Sequence, residues 1–289
     1  MTTFRVLGPL AAHRDGTAVP LAPSLRRLLA VFLSRPNRPI PGPALVEELW
    51  AGRTPANAHK VMQVYVHRLR RTLVDESLIG HGASGYVLRV AEGDLDSLRF
   101  GAMVERAEVA FRRGELAKAA ELLAGGLALW SGDPFADARD TPAVEDESRR
   151  LIEARVRAHE IHGDVLLALG RHVEAVTDLV ALTRSLPMRE RLRGQAMLAL
   201  HRCGRRAEAL ELFRECRATL AEQLGIEPGA ELQILHRAIL RGDPVFGGRV
   251  AAPPRNVWQH GADRRGGGQV ARWEAAAPPA KRGFLRRAG

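Results

Sequence analysis

The sequence predicts a mainly α-helical protein with a small β component: a strand-and-helix unit closed by a hairpin, then an all-α array of repeated helix pairs. Three observations predict it. Short apolar runs broken by turn residues occupy the first 21 positions and return at residues 78–90, with three helical periodicities between them. From residue 94 to residue 243 the helical period is continuous, and a 34-residue repeat runs inside it. Charge is segregated: the formal net charge of +10 over 289 residues divides into 12 Lys/Arg against 6 Asp/Glu in 1–93, 22 against 25 in 94–243, and 9 against 2 in 244–289. Basic ends around a slightly acidic middle suit a nucleic-acid binder joined to a protein-facing part.

Composition narrows the function classes. Apolar residues at 46% and charged residues at 26% are ordinary for a globular chain. No run of about 18 apolar residues occurs, so no membrane helix is expected. The start, MTTFRVLGPLAAHRDG, lacks a basic segment, a long apolar stretch and a cleavage site, so a cytoplasmic, nucleoid-associated location is expected. Cys203 and Cys216, the two cysteines, form no disulfide framework or metal knuckle and read as half-buried thiols in a reducing compartment.

The elements follow in order. Phe4, Val6 and Leu7 form a strand that runs into Gly8-Pro9, and a second strand at Leu10–His13 meets the turn signal Arg14-Asp15-Gly16 before Ala18–Leu21. Ser24 reads as the N-cap of a helix with Leu25, Leu28, Leu29, Phe32 and Leu33 on one face. After Arg38-Pro39-Ile40-Pro41, a short helix from Pro43 to Trp50 turns Leu45, Val46, Leu49 and Trp50 inward. A third helix, NAHKVMQVYVHRLRRTL, places Met62, Val66, Leu69 and Leu73 on one stripe and Lys60, Gln63, Val64, His67, Arg68 and Arg71 on the other side. Such a face can lie in a major groove: basic groups hold phosphates or guanine edges, Gln reads adenine and Val touches a thymine methyl. Standing alone, it would equally suit a solvated basic face. A Gly-rich hairpin follows directly, Leu78-Ile79 to Tyr86–Val90 around His81-Gly82-Ala83-Ser84-Gly85. Strands, three helices and a terminal hairpin in this order make a winged helix-turn-helix over residues 1–93.

In residues 94–243, Gly170-Arg171, Glu174-Ala175 and Leu179 recur as Gly204-Arg205, Glu208-Ala209 and Phe213, and the frame appears earlier as Gly114, Lys118-Ala119 and Leu123. The period, a small turn residue and Ala at helix crossings predict a tetratricopeptide-like all-α helical-repeat domain. Trp130, Phe135, Leu186, Met197, Leu198 and Phe213 read as core. His159, His162 and His172 read as solvated helix histidines, since no partner completes a metal site of known spacing. Residues 244–289, rich in Gly, Pro, Ala and Arg, read as a basic disordered tail that either adds salt-sensitive DNA affinity or does little.

The segments GPL, PNRPIPGPALVEELW, QVYVHRLRRTL and SGYVLRV resemble the Streptomyces antibiotic regulatory proteins, whose DNA-binding part is an OmpR-type winged helix. The central region, with LALWSGDPFAD, Pro187-Met188-Arg189-Glu190 and Leu224-Gly225-Ile226-Glu227-Pro228, is similar to the bacterial transcriptional activator domain of the same proteins. The resemblance implies that Gln63, Val64, His67, Arg68 and Arg71 face bases or phosphates, that Arg70 grips phosphate or the domain's own surface, and that Ser84, Gly85 and Arg89 hold wing positions. It also implies a loop of Trp50, Ala51, Gly52, Arg53, Thr54, Pro55 and Ala56 that touches RNA polymerase in its sigma factor region. By the same resemblance, a homodimer, assembled before or on the DNA, binds direct repeats in double-stranded promoter DNA of a secondary-metabolite (antibiotic) gene cluster and activates it. No catalytic constellation, phosphate-binding G-x-x-x-x-G-K-[ST] loop, cofactor site or receiver domain is recognisable, so an enzyme is not expected. Two other readings share these features: a repeat-based interaction adaptor with a DNA-docking module, and a repressor.

Overall fold

A computed structural model describes residues 1–50, 54–75 and 77–243. The N-terminal strands β1 (Thr2–Arg5), β2 (Ala11–Arg14) and β3 (Thr17–Ala18) form an antiparallel sheet in that order, with Phe4 opposite Ala12 and Arg14 opposite Thr17. Asp15 (φ 48°) and Gly16 (φ 82°) make the tight turn that an Asp-Gly pair favours. The third strand stops at Ala18, earlier than its apolar run, because Pro20 has no N–H to continue the ladder. The first helix, α1 (Pro23–Ser34), differs from expectation at its start: Ala22, not Ser24, is the N-cap. Pro23 takes the first turn because its missing N–H costs nothing there.

Helix α2 (Gly42–Trp50) buries Leu45, Val46 and Leu49, while Trp50 is half-buried. Helix α3 (Ala58–Leu73) buries Ala58, Met62, Val66, Leu69 and Leu73, the expected stripe with one more turn. Each large side chain of that stripe contributes about 1.5–3 kcal/mol by leaving water. Strands β4 (Ile79–Gly82) and β5 (Gly85–Leu88) form the hairpin around Ala83-Ser84.

After a short 3-10 turn, seven helices follow among the described residues: α4 (Asp96–Arg112), α5 (Leu116–Leu127), α6 (Pro142–Ala168), α7 (His172–Ser185), α8 (Glu190–Arg202), α9 (Arg206–Leu224) and α10 (Ala230–Arg241). The repeated helix pairs share one turn, which occurs at Gly114, at Gly170 and again 34 residues on at Gly204. Gly114, Gly170 and Gly204 have φ of 77°, 75° and 77°, and the next residue's N–H reaches back to Ala110, Leu166 and Leu200 at 2.9 Å in each case. This closes each first helix with its last carbonyls satisfied. Ala119, Ala175 and Ala209 have no exposed surface, so the helices can cross closely there.

Two apolar clusters hold the molecule. One runs from Phe4 through the hairpin and α4–α5 to Val165 on α6; the other spans Val156 to Ile239. The first therefore does not stop at residue 93. Phe135, Met197 and Phe213 are core as expected, but Leu186, Leu198 and Trp130 are only half-buried. Trp130 lies edge-on to Phe100 at 5.3 Å, with the Arg155 guanidinium 4.9 Å over its ring. The histidines also differ from the solvated reading. His162 is buried and His159 half-buried, because the long α6 runs between two helix pairs; His172, at the start of α7, is also half-buried. Cys216 is fully buried on the inward side of α9, and burial pushes its thiol above the usual range. Among the described residues no group of three or more His, Cys, Asp or Glu could hold a metal ion, and no helix is long and apolar enough to cross a membrane. Residues 244–289, read as a basic tail, lie outside the described residues.

A hydrogen-bonded seam joins the sheet to the helices. The N–H groups of Val6 and Leu7 donate to the Asp96 carboxylate at 2.9–3.0 Å. The carbonyls of Val6, Leu7 and Gly8 accept from Phe135 (2.8 Å), Ser131 (2.8 Å) and Ala136 (3.2 Å). Leu10 N–H donates to Asp137 at 2.7 Å, which also pairs with Arg26 of α1. Arg27 pairs with Asp140 at 3.1 Å, and the Glu48 carboxylate of α2 accepts from Ala143 N–H at the start of α6 at 3.0 Å. Burial raises the Asp96 carboxyl above its ordinary range, and its backbone donors only partly offset that effect.

Candidate nucleic-acid interface

The face of α3 opposite its buried stripe is exposed at Lys60, Gln63, Val64, His67, Arg68 and Arg71. No acidic residue occurs in the sixteen positions of this helix. Among the described residues, no ion pair engages Lys60, Arg68 or Arg71, so their charges are available to a polyanion. Val64, 45% exposed, is the apolar group among them. A helix of sixteen residues is about 24 Å long and of a width that a major groove admits.

Arg70 behaves differently from its neighbours. It is half-buried, and its Nε and Nη2 both donate to the Ile79 carbonyl, at 3.0 and 2.6 Å. Of the two roles open to it, this geometry is the grip on the domain's own surface: it ties α3 to the root of the hairpin. His59 is exposed one position before Lys60, but its ring lies beside Gly42 of α2.

Ser84 is exposed at the hairpin tip, and Arg89 is exposed just past the end of β5 with its guanidinium across Gly80. Gly85 serves the backbone. Its φ is +112°, and a Cβ there would lie 2.2 Å from the Ile40 carbonyl oxygen. That close approach allows Ile40 and Tyr86 to exchange two backbone hydrogen bonds, at 2.7 and 2.9 Å. Asn37 adds a second tie: its side chain both donates to and accepts from the backbone of Val90 at 2.9 Å. The hairpin is thus bound to the α1–α2 connection and to α3 together.

At the end of α2, where the loop to α3 begins, the Trp50 ring stacks on Tyr65 of α3 at 6.2 Å and 16°. Thr54, Pro55 and Ala56 are exposed, while Ala51, Gly52 and Arg53 lie outside the described residues. The seam at Gly8, Asp96, Ser131 and Asp137 escaped sequence reasoning. Its partners are some 90 to 127 positions apart, and no local spacing marks them.

Two family descriptions match the chain: "Bacterial transcriptional activator domain" over residues 95–240 and "Transcriptional regulatory protein, C terminal" over residues 16–88. The chain is 38% identical over 252 residues to the regulatory protein DnrI of Streptomyces peucetius, covering 83% of this chain and 93% of that one. It is 40% identical over 251 residues to the regulatory protein AfsR of Streptomyces coelicolor, covering 86% of this chain but 25% of the relative. Among solved structures, Mycobacterium tuberculosis EmbR in complex with a low-affinity phosphopeptide superposes with a TM-score of 0.81 at 33% identity, over 85% of this chain and 66% of that one. The exposed α3 face, the anchored wing, the repeated helix pairs and these matches agree: the chain belongs to the Streptomyces antibiotic regulatory proteins, transcriptional regulators that join an OmpR-type DNA-binding domain to a bacterial transcriptional activator domain.

Proposed function

We propose that the chain activates a secondary-metabolite gene cluster by placing α3 in the major groove of directly repeated promoter half-sites and recruiting RNA polymerase. The observation that carries this reading is the exposed, acid-free face of α3, with Lys60, Gln63, Val64, His67, Arg68 and Arg71 uncovered beside an anchored wing. In this reading Arg68 and Gln63 read base edges, Val64 meets a thymine methyl, and Lys60, His67 and Arg71 hold phosphates. Ser84 and Arg89 contact the backbone beside the groove, while Arg70 and Gly85 position the wing. Residues 1–93 do the DNA work and residues 94–243 face protein. The loop from Trp50 to Ala56 meets the sigma factor region of the polymerase, two copies assemble on the DNA, and the protein works in the cytoplasm.

Footprinting on the promoters beside the gene, coupled to transcription in vitro with purified polymerase, tests it. The expected result is two protected half-sites about one helical turn apart, or a multiple of it, with transcripts rising as they fill. Protection accompanied by falling transcripts would convert the reading to repression.

A further inference from the structure

The seam between the sheet and the helices uses directional bonds where apolar contact alone would give adhesion. From Val6 to Gly8 the three carbonyls and two of the N–H groups are all engaged by Asp96 and the segment Ser131–Ala136. Gly8 sits so close that an added Cβ would lie 2.1 Å from Ser131 Oγ and 3.3 Å from its Cβ. Phe135, fully buried, takes a left-handed φ of 51° to donate its N–H to Val6. Left-handed backbone at a bulky residue is costly and persists only where its surroundings require it. Arg26, Arg27 and Glu48 extend the grip to α1 and α2. No residue of the exposed α3 face takes part.

Hydrogen bonds of this kind fix one register, and a fixed register has little value for DNA affinity alone, which a flexible tether would serve. It has value where a second surface must meet a partner at a set place relative to the DNA. We propose that the Gly8–Ser131 seam is a positioning device: it holds the helical domain at one orientation to α3, and activation depends on that orientation while operator binding does not. This rests on the activator reading above.

The test compares the full chain with Gly8→Ala and with Gly8→Ala/Ser131→Gly, measuring operator affinity and transcripts at saturating protein. Ser131→Gly removes both atoms that the new Cβ meets first, leaving Gly132 N at an ordinary 3.5 Å. In Gly8→Ala the Ser131 hydroxyl can rotate away but its Cβ, 3.3 Å off, must yield, so operator binding is expected to stay within about threefold of wild type while activated transcription falls by about threefold or more, since the set geometry for the second partner is shifted. The double variant is expected to recover activation to within about twofold, because the clash is gone. If Gly8→Ala proves unstable, Asp137→Ala, which releases Leu10 and Arg26 at the half-exposed edge of the seam, is expected to show the same split. Full activation by Gly8→Ala or Asp137→Ala at saturation would overturn the proposal, as would parallel loss of binding and activation. Wild-type protein that fills the operator without activating would remove the activator reading itself, and the seam's role with it.

Discussion

Replacing Gly85 with Ala tests the anchoring of the wing. The new Cβ would lie 2.2 Å from the Ile40 oxygen, 2.6 Å from its carbonyl carbon and 2.8 Å from Pro41 Cα, all backbone atoms with no rotamer to escape into. Two costs follow. Holding a non-glycine residue at φ +112° costs about 1–3 kcal/mol. Separating the α1–α2 connection from the hairpin loses both Ile40–Tyr86 bonds, each worth about 0.5–1.5 kcal/mol net. Together they come to roughly 2–6 kcal/mol, a large share of an ordinary domain's stability. Equilibrium urea unfolding reads the loss, and hydrogen exchange at the Tyr86 amide reports whether the bridge is its source. The expected variant is destabilised within this range, has a fast-exchanging Tyr86 amide and binds operator more weakly. A variant within about 0.5 kcal/mol of wild type, with Tyr86 still protected, would refute the reasoning.

Three further outcomes are expected. Arg70→Ala should cost about 1.5 kcal/mol by releasing the Ile79 carbonyl, and should weaken binding to all DNA sequences alike; a change in base preference would mean that Arg70 reads bases. Burial, with Arg155 and His162 nearby, lowers the His159 pKa from 6.5 to about 4. The fold thus favours neutral His159, and its contribution is complete above pH 6.5 and lost as pH falls toward 4, on the order of 3 kcal/mol in all. Raised carboxyls at Asp96, Glu160 and Asp164 act in the opposite direction, so the readout is the difference between wild type and His159→Gln across pH 4–7; identical slopes would contradict it. Gly170→Ala should cost about 1–2 kcal/mol, measured by thermal unfolding, since its φ is +75° and nothing crowds the new methyl; an unchanged melting temperature would show that the turn is not held left-handed.

Local signals were legible and distant ones were not. The stripe Met62–Val66–Leu69–Leu73 identified the inward side of α3, and the glycines of the repeat marked its turns, because both depend on spacings within one or two helical turns. Helix starts were less legible: Ser24 has the chemistry of a cap, but Pro23 before it already suits the first turn. The histidines of α6 looked solvated because periodicity along one helix does not reveal that a second helix pair covers the other side. Arg70 and Arg71 are adjacent and identical in type, and only the position of the Ile79 carbonyl separates an anchor from an exposed cation. The seam was beyond reach for the same reason, since Gly8 and Ser131 meet only after both parts have folded.

The most direct test of sequence-specific recognition through α3 is a binding titration with the promoters flanking the gene against scrambled DNA, at two salt concentrations, for wild type and Arg68→Ala. The account predicts competitor-resistant binding to one promoter and a loss of about 1–3 kcal/mol of specific affinity in Arg68→Ala, with non-specific binding little changed. Equal binding to all DNA, collapsing with salt and unaffected by Arg68→Ala, would contradict it.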